Sequence, residues 1–217
     1  MKKAILLFAA AVATISLCSA GTINIGTYGV SAGATFLEQD SVDNCGFGTK
    51  SVQCTGAGFF APTILDLTSL SLTAGSTITL TAGGSLNYGN STVLPAVLDA
   101  VFSTSNTLNP SNVATRVPGA AAVGLPSGLT SPVTSTFYGL NNDIAQDFKV
   151  TTSGITFTIP NGALYLFIGI SDSFMADNSG NVSINITETI QNTPEPATYF
   201  MMLGGLGALA LARKFRA

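Results

Sequence analysis

The sequence predicts an all-β protein: a single β-sandwich, jelly-roll-like domain, with a cleaved N-terminal signal peptide before it and one C-terminal transmembrane helix after it. Three observations carry this reading. Apolar residues alternate with threonine in runs of strand length, short Gly- and Asn-rich breaks separate the runs, and uncharged apolar stretches flanked by Lys or Arg stand at the two ends.

At the amino end, Met1-Lys2-Lys3 supplies a positive start, Ala4 to Ile15 an apolar core, and Cys18-Ser19-Ala20 a small-residue cleavage region that leaves Gly21 first. The apolar core is too short to span a bilayer, so residues 1–20 read as a secretory signal. The alternative, lipidation at Cys18, meets Leu17 where such signals want a very small residue.

Export leaves the mature chain with Cys45 and Cys54, an even pair in an oxidising compartment. The segment between them is rich in Gly and Ser and can turn back on itself. A Cys45–Cys54 disulfide is therefore expected, contributing on the order of 2–3 kcal/mol by loop closure. A zinc site is not, because the chain contains no histidine.

The domain at 21–190 shows period-two patterning. Ile78, Leu80 and Ala82 alternate with Thr77, Thr79 and Thr81, and Ile155, Phe157 and Ile159 alternate with Thr156 and Thr158. Val182, Ile184, Ile186 and Ile190 alternate with Ser183, Asn185, Thr187 and Thr189. Threonine's branched β-carbon suits the wet face of a pleated sheet. Leu164 to Ile170 is apolar on both faces, the mark of a central strand covered on each side. Ala82-Gly83-Gly84, Pro160-Asn161-Gly162 and Asn178-Ser179-Gly180-Asn181 read as turns. Pro95 to Leu108 admits either a short helix or a strand.

Composition narrows the function. Without histidine, Ser-His-Asp and Cys-His catalysis are excluded, so the chain reads as a non-enzyme. From Gly21 to Thr193, Lys50, Arg116 and Lys149 stand against ten acidic residues, a balance of minus seven. That charge repels phosphate backbones and argues against nucleic acid, while it suits divalent cations and neutral polymers.

The carboxy end has three parts: Pro194-Glu195-Pro196 closing a linker at 191–196, an uncharged apolar run at 197–212, and a basic tail at 213–217 with Arg213, Lys214 and Arg216. The prolines keep the tripeptide extended. The run gives about 24 Å of helix, short of a ~30 Å hydrocarbon core, so the basic residues reach the cytoplasmic surface by snorkelling. This arrangement resembles the PEP-CTERM sorting signal of bacterial secreted proteins, with Thr193 where valine is more usual. The resemblance implies recognition by an exosortase, a membrane enzyme that processes such chains near the Pro-Glu-Pro. It also implies anchoring in the inner membrane before processing, and the cell envelope or extracellular space afterwards. A permanent single-span anchor is the competing reading.

A second resemblance covers roughly 66–189. Leu70 to Gly84, and Ile159 to Ile170 followed by Asp172 and Asp177-Asn178-Ser179-Gly180, resemble lectin-like sandwich domains similar to the bacterial galactophilic lectin. In that lectin, side chains of such a loop and a tyrosine carbonyl hold a calcium ion that bridges to sugar hydroxyls. The resemblance implies calcium held by Asp172, Asp177, Asn178 and the carbonyl of Tyr88, with extracellular polysaccharide as partner. The Asp172–Asp177 gap is shorter than in the lectin, and the lectin's sugar loop with its histidine has no counterpart. Read from the residues alone, the same three side chains also suit turns. The alternative for the whole protein is a passive matrix or surface-coat component.

Overall fold

The computed structural model describes residues 21–37, 61–88, 93–110, 115–130, 144–171 and 178–190. The chain divides into a body, Thr22–Thr189, and a second unit made of Met1–Gly21 and Ile190–Ala217, of which only Gly21 and Ile190 are among the described residues.

Within the described residues the chain is almost entirely strand. In order come β1 (Gly21–Val30), β2 (Thr63–Asp66), β3 (Thr77–Tyr88), β4 (Val93–Pro95), β5 (Leu98–Ser103), α1 (Ala120–Val123), β6 (Phe148–Val150), β7 (Ile155–Thr158), β8 (Tyr165–Ile170) and β9 (Asn178–Ile190). They form two sheets. The first has the order β1-β9-β3-β4, with β7 also pairing β3; the second has the order β2-β8-β5-β6. The long antiparallel pair β3–β9 runs from Thr77↔Thr189 to Tyr88↔Asn178.

One apolar cluster joins the sheets. Ile78, Leu80, Leu86, Ile184 and Ile186 from the first meet Leu98, Ala100, Phe102, Phe148, Leu166 and Ile168 from the second. Phe102, Phe148 and Phe157 form its aromatic centre, with ring centroids 5.0–5.8 Å apart in stacked and edge-on pairs. The alternation read from sequence is therefore the division between core and solvent: Ile78, Leu80, Phe157, Ile184 and Ile186 are buried, while their threonine neighbours are not.

β8 has the expected central place, between β2 and β5. Leu166, Ile168 and Ile170 face the shared core, and Phe167 faces a second cluster with Phe36, Leu37, Val101, Val117, Ala120 and Ile144. That second cluster covers the outer face of the second sheet. The cover is fastened where Ile170 N–H donates to the Ala34 carbonyl (2.7 Å) and Arg116 Nη1 donates to the carbonyls of Thr35 and Leu37 (3.2 and 3.1 Å). A side chain on Gly169 would meet the Thr35 backbone at 3.0 Å, so glycine there is what lets the cover lie close.

Two turn readings are corrected. Ala82-Gly83-Gly84 lies inside β3, and Asn178-Ser179-Gly180-Asn181 opens β9. The glycines serve close strand approach: a Cβ on Gly84 (φ 84°) would meet the Asn181 carbonyl, and one on Gly180 (φ 142°) the Ser85 carbonyl. Pro160-Asn161-Gly162 does turn, closed by Ala163 N–H donating to the Pro160 carbonyl (3.3 Å). The Pro95–Leu108 alternatives resolve to strand, β5. Leu164 is excluded from its strand and stands exposed.

Candidate functional site

Residues of the candidate calcium site meet at one end of the β3–β9 pair. Tyr88 and Asn178 are register partners, the last of the pairing. Both are half-buried, and Tyr88 packs against the main core. Leu86 and Val182 on the same strands are buried inward, so the even-numbered Tyr88 and Asn178 lie on the core side, at its open end. One register step away, Asn87 faces Ser179, and its side-chain oxygen Oδ1 is buried with no hydrogen-bond partner among the described residues. Asp172 and Asp177 lie outside the described residues, between Ser171, whose N–H donates to the Val97 carbonyl (3.1 Å), and Asn178. Among the described residues no group of three His, Cys, Asp or Glu could hold a metal ion. Of the four expected ligand residues, the two that are placed, Tyr88 and Asn178, stand opposite each other in the strand register.

Across β7, β3 and β9 the outer face of the first sheet is a ladder of uncharged polar side chains, which meets Val93 and Pro95 where β4 joins β3. The register sets Thr158, Thr77 and Thr189 in one row and Thr156, Thr79 and Thr187 in the next. Thr81–Asn185, Gly83–Ser183, Ser85–Asn181 and Asn87–Ser179 continue it. Rows of this kind repeat about 6.7 Å along a strand and about 4.8 Å across. Two of the hydroxyls, Thr79 and Thr156, bond each other at 2.7 Å. No charged residue stands among these positions, although residues 21–193 as a whole are acidic.

One constellation escaped the sequence reading. Asp99 and Asp147 are both buried, at 4% and 0% exposure. Asp99 lies within β5, on the covered outer face of the second sheet, opposite Gly169 on β8 and Lys149 on β6. Burial and the neighbouring Asp147 raise its carboxyl to about 7, against a smaller lowering by the Ser171 hydroxyl and by Lys149. The available signal was an acid inside the apolar run Leu98–Phe102; its partner, dozens of residues away, could come only from the fold.

Cys45, Cys54, Pro194, Glu195, Pro196, Arg213, Lys214 and Arg216 all lie outside the described residues, as do the signal peptide at 1–20 and the apolar run at 197–212. Among the described residues no helix is long and apolar enough to cross a membrane.

No curated protein and no solved structure matches the chain. Residues 192–217 match the model of the PEP-CTERM protein-sorting motif. The carboxy-terminal segment is thus similar to an exosortase-substrate sorting signal, which implies recognition by exosortase and export through the membrane to the cell envelope or extracellular space.

Proposed function

We propose that the protein is a non-enzymatic component of the cell envelope or extracellular matrix, whose β body binds neutral polysaccharide with the help of calcium. The observation that supports the reading is the pairing of Tyr88 with Asn178, which brings two of the four expected ligand residues together at one end of the β3–β9 pair. Asp172 and Asp177 would complete the oxygen set from the adjoining loop, supplying the negative charge that a divalent cation needs. The ion's chemistry would be electrostatic: it would hold the loop to the strand ends and present open positions to vicinal sugar hydroxyls. The uncharged hydroxyl face of the first sheet is compatible with the same neutral partners.

A passive coat protein is the second reading. It is favoured by the Thr79–Thr156 bond, which uses hydroxyl capacity within the sheet itself. Calcium calorimetry and a glycan array on residues 21–193 separate the two. Calcium heat with calcium-dependent glycan signal supports the first reading; silence in both assays leaves the coat protein.

A further inference from the structure

One register step in from Tyr88 and Asn178, on the outer side of the same strands, the first sheet carries a mixed patch. Two rows cross β4, β3 and β9 in turn: Val93–Asn87–Ser179 and Pro95–Ser85–Asn181. Leu86 and Val182, which alternate with these residues on β3 and β9, are buried in the core. Paired residues share a face, so all six side chains lie on the outer one. Five of them are exposed, Val93 at 63%, and Asn87 is half-buried.

The patch combines two chemistries that the threonine rows beside β7 do not. Val93 and Pro95 form an apolar margin, and the other four side chains offer hydroxyl and amide groups. Thr79 and Thr156 bond each other, whereas Ser85, Ser179 and Asn181 make no side-chain hydrogen bond among the described residues. Asn87 Oδ1 is buried with no partner among them, an acceptor that costs stability until a donor reaches it. Its side chain is only partly covered and its terminal torsion is broad, so a small rotation presents that oxygen above the sheet.

A sugar ring has the complementary surface, with C–H groups on its faces and hydroxyls around its rim. The two rows span about 10 Å across the strands and about 7 Å along them, the footprint of a ring and its substituents. Charge selects the kind of polymer. None of the six residues is charged, while residues 21–193 carry a balance of minus seven. The body therefore repels an anionic chain, and a cationic one would seat on its carboxylates instead.

We propose that this patch is a calcium-independent contact for a neutral polysaccharide. Val93 and Pro95 seat the face of a ring, and Asn87, Ser85, Ser179 and Asn181 bond its hydroxyls. The proposal rests on the polysaccharide reading above but not on the ion. Without an aromatic platform a single contact of this kind is weak, and a polymer that repeats its unit re-engages it.

Retention of the full chain, in a detergent without a sugar headgroup, on immobilised dextran, mannan, galactan and the anionic alginate tests the patch. Retention is expected on at least one of the three neutral polymers and not on alginate, with a component that survives EDTA. Val93→Ser combined with Asn87→Ala should weaken that component roughly fivefold or more. Ser85→Glu, which keeps both side chains and sets a charge on the patch, should do the same and serves if the double variant does not fold. Ile64→Ser, which removes an exposed apolar side chain on the other sheet, should leave it unchanged. Retention abolished by EDTA and indifferent to the patch variants overturns this proposal and leaves the calcium reading standing. No retention on any neutral polymer overturns both. A self-associated form that the patch variants dissociate in sedimentation would place a second copy there, and the proposal would fall.

Discussion

Tyr88 and Asn178 face each other across the last register position of β3 and β9, although ninety residues separate them in the chain. Their meeting depends on register over the whole pair: a slip by one residue would turn Asn178 to the opposite face.

If this end of the sandwich holds calcium, the ion binds the folded chain and raises its melting temperature by mass action. The double substitution Asp177→Ala with Asn178→Ala should lower that calcium-dependent rise, measured by thermal melting with and without calcium. An unchanged response would remove both side chains from the ligand set.

Acidity should stabilise the body through Asp99. Its carboxyl rises from 3.8 to about 7 on folding, so the folded state holds the proton more tightly than the unfolded chain. That contribution is fully present below about 3.8 and is lost as pH rises through about 7. It amounts to about 4 kcal/mol at most across the range. Melting temperature should therefore fall from pH 4 toward 7. Asp99→Asn should flatten this part of the curve; a variant curve parallel to wild type would show that other groups govern it.

Gly84 should resist substitution. It combines φ 84° with a path that brings the Asn181 carbonyl against the space a Cβ would fill. Gly84→Ala must strain the backbone or part β3 from β9, with an expected loss of roughly 2 kcal/mol or more, read by urea denaturation. Gly162→Ala is the control, since open space surrounds it at a similar φ of 80°. It carries the conformational cost alone and should lose less.

Phe102 anchors the aromatic centre, 5.8 Å from both Phe148 and Phe157. Phe102→Ala leaves a cavity between the sheets and should destabilise by about 3–5 kcal/mol. Phe102→Leu should lose visibly less in the same denaturation series. Equal losses would mean that the rings contribute no more than occupied volume.

Processing of the tail can be read by mass spectrometry of the mature protein. In a host with exosortase the tail beyond Pro196 should be missing, and in a host without it the tail should persist. An intact Arg216 terminus in the first host would favour a permanent anchor.

Sequence by itself determined the features that depend on local periodicity and on contiguous residues. Alternation of Ile78 and Leu80 with threonine, and of Ile184 and Ile186 with Asn185 and Thr187, already states which face is dry, because successive side chains in a strand point opposite ways. The sorting segment was legible for a related reason: its three parts are adjacent, and 192–217 match the motif as a linear string.

β1 was not legible. Ile25 and Tyr28 both pack against the core, an odd spacing that breaks the alternation a strand signal needs. Gly83-Gly84 and Ser179-Gly180 carry the composition of turns, yet they lie within strands because the facing carbonyls leave no room for a Cβ. Only the tertiary structure could decide this, since the obstructing atoms belong to a strand about a hundred residues away. The same holds for Asp99 and Asp147: burial and a like-charged neighbour create their chemistry, and both arise when the sheets and their cover assemble.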